Sequence, residues 1–103
     1  MRFIDGIEKK IMTVDHAKKI MHAGKITGKT FAFTNGCFDI LHPGHLYSLA
    51  QTAKEADYLI VGLNSDASVK RLKGPSRPIN NTDSRAIVLA NLVLVDMVVV
   101  FEE

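Results

Sequence analysis

The stretch TNGCFDILHPGH, residues 34–45, decides the fold of this chain because it lies directly between an apolar strand and an amphipathic helix. The run Phe31–Phe33 before it predicts a strand, and the Asn-Gly pair at 35–36 is expected to end that strand. Pro43 is favoured in the first turn of a helix, and apolar residues follow it at helical spacing. The stretch therefore predicts a strand, a glycine turn and a helix in direct succession.

Two histidines flank the predicted start of this helix. His42 and His45 lie on either side of the Pro43-Gly44 pair. Backbone N–H groups and the positive end of the helix dipole favour an anion at such a position. Imidazoles there can also donate to oxygens that gain charge during phosphoryl or nucleotidyl transfer. The pattern predicts a phosphate-binding site.

Other interpretations of the same residues stay open at this point. The histidines could have only a structural role at the helix start. A zinc site could form from Cys37, His42 and His45, but the spacing is not that of a zinc finger, and His16 and His22 belong to a separate segment. A Cys-His nucleophile pair is also conceivable, although no third residue is evident that would orient the base.

The motif also resembles a known family. GCFD at residues 36–39 followed by HPGH at 42–45 matches the GxFDxxHxGH signature of the cytidylyltransferase-like nucleotidyltransferases, the HxGH motif. The longer string is similar to the adenylyltransferase domain of ADP-heptose synthases. The resemblance implies transfer of AMP from ATP to D-glycero-D-manno-heptose 1-phosphate, giving ADP-heptose and pyrophosphate, and it extends from about Lys29 to the chain end.

Two other functions remain open beside this one. A cytidylyltransferase acting on glycerol 3-phosphate would use the same chemistry, and the base preference cannot be read from these residues. A non-catalytic nucleotide-binding fragment would keep the phosphate site alone. The resemblance also implies Mg²⁺, which bridges phosphate oxygens in such transfers, but no residue is assigned as a direct metal ligand.

The predicted site residues fall into three groups. Ligands of open α/β sheets bind beyond the carboxyl ends of the strands, and the motif segments follow predicted strands or lie on the loop that leads on from them. The catalytic group is His42, His45 and Lys73; the nucleotide-binding group is Asn35, Gly36, Cys37, Phe38, Gly44 and Arg77; the group close to substrate or metal is Asp39, Asn64, Asp66 and Arg85.

The expected mechanism is an in-line displacement in which a phosphate oxygen of the acceptor attacks the α-phosphorus of the nucleotide. Catalysis then comes from positioning and electrostatic stabilisation. His42 and His45 donate to phosphate oxygens, with backbone donors near Gly44, while Lys73 and Arg77 lie on a loop that could close over a triphosphate or could be only a solvated basic surface. Asp39 could orient the turn, contact the metal through water or bind the sugar.

The order of predicted elements is that of an α/β protein with a Rossmann-like parallel sheet of the nucleotidyltransferase type. Residues 1–28 are expected to form an N-terminal helical segment, and residues 29–103 the nucleotidyltransferase domain. The expected strands are 31–34, 58–63 and 97–101. The expected helices are 14–22 with Thr13 as cap and Gly24 as stop, 43–56, 65–71, and a last helix that Thr82 caps and that runs to about residue 94; a loop is expected over 73–81.

The family's sheet has five strands, and the resemblance implies that this chain lacks the last two. The strand that begins at Phe31 would then lie at an unpaired edge. Exposed strand edges pair readily with other chains, so we expect a homo-oligomer that forms through this edge.

Composition restricts the remaining possibilities. A chain of 103 residues with 47% apolar residues forms at most one domain. One cysteine, no signal-peptide pattern and no apolar run near the ~20 residues of a membrane span favour a cytoplasmic protein without a membrane partner. The net charge of +2 is too small to indicate a nucleic-acid partner, so small phosphorylated molecules, ATP and a sugar 1-phosphate, are the expected ligands.

Overall fold

A computed structural model describes residues 4–102 of the chain. The first three residues of the predicted N-terminal segment and the last residue of the predicted domain lie outside this range. The elements in chain order are α1 (Ile4–Glu8), β1 (Ile11–Met12), α2 (Val14–Ile26), β2 (Phe31–Gly36), α3 (Pro43–Ala53), β3 (Tyr58–Asn64), α4 (Asp66–Lys73), α5 (Thr82–Ala90) and β4 (Met97–Phe101).

The strands form one parallel sheet in the order β1-β4-β3-β2. This arrangement confirms the predicted α/β class. The ladder between β2 and β3 runs without interruption from the Phe31–Tyr58 pair to the Gly36–Leu63 pair. Among the described strands β2 lies at one edge, as the sequence predicted, and its carboxyl end leads straight into the motif loop, residues 37–42.

The N-terminal residues are part of this sheet, which differs from the predicted separate helical segment. β1 pairs with β4 through Ile11 and Met12, and α2 packs on the same strand. Ala17 of α2 is buried in one apolar cluster with Ile60 and Val99. Residue 28 is therefore not a domain boundary, because the residues before it cover one face of the sheet.

Helix α2 also continues past Gly24, the predicted stop, and ends at Ile26 with Thr27 as its C-cap. A Cβ atom at Gly24 would lie 2.6 Å from the ring of Phe31. The glycine thus lets the helix approach the neighbouring strand closely, and it does not end the helix.

Four other boundaries differ from the predictions by more than one residue. Helix α3 ends at Ala53, three residues before the predicted end. The strand β2 includes Asn35 and Gly36, because their pairing with β3 keeps them extended. Helix α4 continues to Lys73, so this lysine ends a helix and does not lie in the loop. Helix α5 has Asn81 as its N-cap in place of the predicted Thr82, and it ends at Ala90, four residues before the predicted end.

The two faces of the sheet are covered unequally. On one face Leu59, Val61 and Leu63 of β3 are buried in a cluster that includes residues of α3 and α5. On the other face α2 covers β4, but Phe33 on the edge strand is 61% exposed beside an apolar cavity of about 330 Å³. No helix within residues 4–102 has the length and apolar character needed to cross a membrane.

Candidate functional site

The predicted site residues meet in a cavity of about 370 Å³ that includes the last residues of β2 and the motif loop. Parallel strands place their carboxyl ends at one edge of the sheet, and loops there converge. Eight of the thirteen predicted site residues line the cavity together with Ile40: Asn35, Gly36, Cys37, Phe38, Asp39, His45, Lys73 and Arg77.

The histidines form a reciprocal cap at the start of α3. The His42 Nδ1 atom accepts a hydrogen bond from the Gly44 N–H at 3.0 Å, and the His45 Nδ1 atom accepts one from the His42 N–H at 3.3 Å. The two rings lie 4.1 Å apart between centroids. Because each Nδ1 atom is an acceptor, the neutral form of each ring carries its proton on Nε2. Both Nε2–H groups can therefore donate to a ligand.

The environment of His45 favours its neutral form. Burial lowers the pKa of His45 below the ordinary value of 6.5, and the nearby charges of His42 and Lys73 lower it further. At neutral pH the His45 ring is thus uncharged, which its acceptor role at Nδ1 requires. The ring contributes a directed hydrogen-bond donor to the cavity, while Lys73 contributes a positive charge.

The backbone of the motif loop turns sharply at Phe38. Phe38 has a φ angle of +46°, which residues other than glycine rarely adopt. Its ring packs edge-on against His45, with centroids 5.8 Å apart, and lies where a side chain at Gly36 would be, 2.9 Å from a Cβ atom placed there. The unusual backbone conformation is therefore held by packing against the two neighbouring motif residues.

Asp39 holds two loops together. Its side chain is 2% exposed, and its Oδ2 atom accepts from Arg77 Nε and from the Ile79 N–H, both at 2.8 Å. Its Oδ1 atom accepts from the Asn80 N–H at 2.8 Å. Burial alone would raise the pKa of Asp39, but the hydrogen bonds from Asn80 and Ile79 and the charge of Arg77 lower it to about 2.

The geometry of Asp39 favours one of its three predicted roles, that of orienting the turn. Both carboxylate oxygens are already used within the protein. Asn80 adds a second bond, from its side-chain amide to the Asp39 carbonyl oxygen at 2.7 Å. No sequence signal pointed to Asn80, because an asparagine in a polar loop is common and its partner is 41 residues away.

Arg85, predicted to lie near substrate or metal, is buried away from the cavity. The residue is 2% exposed and all five of its N–H donors are used within the protein. Their acceptors are Asn80 O at 2.9 Å, Cys37 O and Asn64 O at 2.7 Å each, Asp66 Oδ1 at 2.8 Å and Thr82 Oγ1 at 3.3 Å. No donor of Arg85 therefore remains for a ligand, and the residue lies next to the site through its bond to the Cys37 carbonyl.

Besides Arg85 and His42, three further predicted residues do not line the cavity. The Asn64 amide is buried and donates to Ser68 Oγ at 2.8 Å, and one oxygen of Asp66 is paired with Arg85. The Gly44 N–H, predicted as a backbone donor to phosphate, donates to His42 instead. A Cβ atom at Gly44 would lie 2.7 Å from the His42 ring, so this glycine makes room for the imidazole.

The described residues form no metal site with three protein ligands. Within the described part of the chain, no three histidine, cysteine or carboxylate side chains lie close enough together to hold one. The zinc site considered for Cys37, His42 and His45 is thus not formed. A direct Mg²⁺ contact of Asp39 does not fit either, because Arg77 and two backbone N–H groups already occupy its oxygens.

A parallel α/β sheet with a glycine turn, an HxGH helix start and cationic side chains at the carboxyl edge defines the class of protein, a nucleotidyltransferase-type domain. The comparison with known families agrees. The cytidylyltransferase-like family model matches residues 33–103, and the chain belongs to this family.

Individual relatives are similar over nearly the whole chain. The bifunctional protein HldE of Paramagnetospirillum magneticum is 53% identical over 96 residues, which is 93% of this chain and 20% of the relative. The bifunctional protein HldE of Caulobacter sp. K31 is 54% identical over 99 residues, which is 96% of this chain and 20% of the relative. The chain therefore spans about one fifth of the length of these curated relatives.

A solved structure shows the same fold. The crystal structure of the lipopolysaccharide core biosynthesis protein from Thermoplasma volcanium superposes with a TM-score of 0.66 at 32% sequence identity. The match covers 72% of this chain and 59% of the other.

Proposed function

We propose that this chain transfers AMP from ATP to D-glycero-D-manno-heptose 1-phosphate and releases pyrophosphate. The observation that carries the proposal is the cavity at the carboxyl end of β2, where His45, Lys73 and Arg77 meet beside the His42 cap. Family membership supports nucleotidyl transfer. The similarity to HldE proteins and to a lipopolysaccharide core biosynthesis protein supports the sugar phosphate as acceptor.

The proposed chemistry needs no covalent intermediate. An oxygen of the acceptor phosphate attacks the α-phosphorus, the bond to the β-phosphate oxygen breaks, and pyrophosphate leaves with its electron pair. The Nε2–H groups of His42 and His45 donate to phosphate oxygens that gain charge as the bond breaks. Lys73 and the remaining N–H groups of Arg77 neutralise the triphosphate from the other wall of the cavity.

The proposal includes Mg²⁺ as an ion that binds together with the nucleotide. Divalent magnesium binds phosphate oxygens and retains several waters, so it needs few protein ligands. The described residues form no metal-binding group, which fits an ion that arrives with ATP. The protein's own contribution to the transfer then comes from its histidine and cationic side chains. A cytoplasmic location, where ATP is supplied, is part of the same proposal.

We also propose that two copies pair through β2. This strand is at the sheet edge and leaves one side of its backbone without a strand partner among the described residues. Phe33, 61% exposed on this strand, would be covered by an added strand and its side chains. Sedimentation of a stable monomer at micromolar concentration would contradict this part of the proposal without affecting the chemistry.

Two alternative functions remain, and each is supported by one observation. The matching family model is described as cytidylyltransferase-like, which keeps CTP and glycerol 3-phosphate as a substrate pair. The cavity lining includes His45 but not His42, which keeps a nucleotide-binding role without turnover. Both alternatives use the same cavity.

One experiment separates the three functions. Pyrophosphate release is measured with ATP, Mg²⁺ and the heptose 1-phosphate, beside CTP with glycerol 3-phosphate, for the wild type and for His42→Ala. Release that requires ATP, the heptose phosphate and His42 would support the proposal. Release with the CTP pair alone would favour the cytidylyltransferase. ATP binding without release from either pair would leave only the binding role.

A further inference from the structure

The buried guanidinium of Arg85 connects three segments that are distant in sequence. It donates to the backbone carbonyls of Cys37 in the motif loop, Asn64 at the end of β3 and Asn80 in the loop before α5. These partners are 48, 21 and 5 residues away along the chain. Because a guanidinium is planar and presents its donors in fixed directions, it sets the positions of all three carbonyls relative to one another.

Stability alone does not explain a charged residue at this position. A buried charge carries a desolvation penalty, and buried ion pairs are often replaced by apolar residues without loss of stability. The neighbouring residues Ala86 and Leu89 on α5 are buried in the apolar core. An apolar side chain at position 85 could extend that core, but it could not hold three carbonyl oxygens.

The contact with Cys37 also fixes the direction of a neighbouring donor. In a planar trans peptide the carbonyl oxygen and the next N–H point in opposite directions. Since the Cys37 carbonyl points to Arg85, the Phe38 N–H points away from it. Cys37 and Phe38 line the site cavity, whereas Arg85 does not, so Arg85 holds this peptide from outside the cavity.

The same relationship is visible at the second carbonyl. The Asn64 carbonyl accepts from Arg85 at 2.7 Å, and the N–H of the same peptide, on Ser65, donates to the Phe101 carbonyl at 2.9 Å. Arg85 and Phe101 thus hold the two ends of one peptide. At Cys37 the guanidinium holds one end of the peptide in the same way, next to the positive φ angle of Phe38.

We infer that Arg85 is a positioning residue of the nucleotide site, which orients the Cys37–Phe38 peptide so that the Phe38 N–H serves as a donor to the phosphates. The inference rests on the proposed nucleotide-binding function. Arg85 acts through the backbone and touches neither the nucleotide nor the acceptor, in agreement with its five occupied donors.

The test compares Arg85→Lys with Leu89→Ala. Lysine keeps the charge but cannot reach three carbonyls with a planar fork, whereas Leu89→Ala removes a fully buried apolar side chain on the same helix and none of the hydrogen bonds of Arg85. Two quantities are measured well below the unfolding temperature of each variant: the ¹⁵N and ¹H shifts of the Phe38 amide, and the dissociation constant for ATP with Mg²⁺ by calorimetry.

We expect Arg85→Lys to shift the Phe38 amide and to weaken ATP binding about tenfold, while Leu89→Ala leaves both close to the wild type. An unmoved Phe38 amide would overturn the inference even if ATP binding weakened. Unchanged ATP affinity would overturn it as well. Wild-type protein that binds ATP but releases no pyrophosphate with any acceptor would refute the transfer reaction alone, because the comparison at Arg85 needs only binding.

A second variant guards against loss of folding in Arg85→Lys. Asp66→Asn removes the charge that pairs with Arg85 Nη2, and the Asp66 side chain is 44% exposed, so the fold tolerates the change more easily. We expect this variant also to shift the Phe38 amide and to weaken ATP binding, but by less than Arg85→Lys. A fully folded Asp66→Asn protein with wild-type Phe38 shifts and ATP affinity would contradict the inference.

Discussion

Arg77 Nε donates to Asp39 Oδ2 at 2.8 Å, and this pair joins the motif loop to the loop between α4 and α5. The two partners differ in exposure, since the Asp39 side chain is 2% exposed and that of Arg77 is 35% exposed. The carboxylate of the pair is thus buried between the two loops, while Arg77 also lines the cavity. Arg77 therefore combines a structural bond at Nε with a position from which its guanidinium can contact a ligand.

Replacement of Asp39 by asparagine should destabilise the protein and change its response to acid. An amide group cannot accept all three hydrogen bonds made by the carboxylate, and we expect a loss of about 2 kcal/mol in the free energy of unfolding at pH 7. The measurement is urea unfolding of both proteins over a range of pH.

The sign of the pH effect follows from the lowered pKa of Asp39, about 2 in the folded state against an ordinary value of 3.8. Its contribution is fully present above pH 3.8 and is lost as the pH falls through about 2. The stability difference between wild type and Asp39→Asn should therefore shrink across this window. A difference that stayed constant down to pH 2 would show that the charge of Asp39 is not involved.

His45 should titrate below the ordinary histidine range, and Lys73 should contribute to this effect. Burial is the first cause of the lowered pKa, followed by the charges of His42 and Lys73. In Lys73→Met one of these charges is removed, so the pKa of His45 should rise relative to wild type. NMR titration of the His45 ring proton in the two proteins measures both pKa values.

Gly44→Ala should disturb the histidine cap. The added Cβ atom would lie 2.7 Å from His42 Cε1, so the imidazole would have to move and its bond to the position 44 N–H would weaken. We expect pyrophosphate release to fall about tenfold or more, with little loss of thermal stability. Gly6→Ala is the matched control, since nothing lies within 4 Å of a Cβ atom at Gly6.

Ala17→Asp should destabilise the whole domain, because α2 covers the same sheet that carries the site. Ala17 is 5% exposed against Ile60, Met97 and Val99, and an unpaired carboxylate there should lower the free energy of unfolding by about 2 kcal/mol or more. Lys19→Asp introduces the same group at an exposed position of the helix and should have little effect. Equal stabilities of the two variants would instead support the prediction that residues 1–28 form a segment separate from the domain.

Local sequence signals predicted the elements that depend on neighbouring residues. The apolar runs at 58–63 and 97–101 predicted two strands almost to the residue, and Pro43 marked the first residue of α3. The HxGH spacing predicted that His42 and His45 would flank a helix start, which the reciprocal cap confirms. These features follow from periodicity and capping within a few residues, so no tertiary information is needed.

The roles of the remaining site residues depended on partners far away in sequence. The sequence predicts three possible roles for Asp39, and its bonds to residues 77–80 decide among them. It also predicts Arg85 near the substrate, but the donors of Arg85 are all used within the protein. The strand at Ile11 was missed because two residues carry too weak a pattern, and its pairing with Val98 depends on contact across the sheet.

The sequence by itself determined the α/β class and the strand, turn and helix of the HxGH motif, because these follow from local spacing and from the order of elements, whereas the position of β2 at a sheet edge was implied by the family resemblance. Only the tertiary structure decided which polar side chains face the cavity and which hold the loops. A side chain of Asp or Arg can serve either purpose, and the choice is made by the hydrogen-bond partners that folding brings within reach, here Arg77 and the 79–80 backbone for Asp39 and three carbonyls for Arg85.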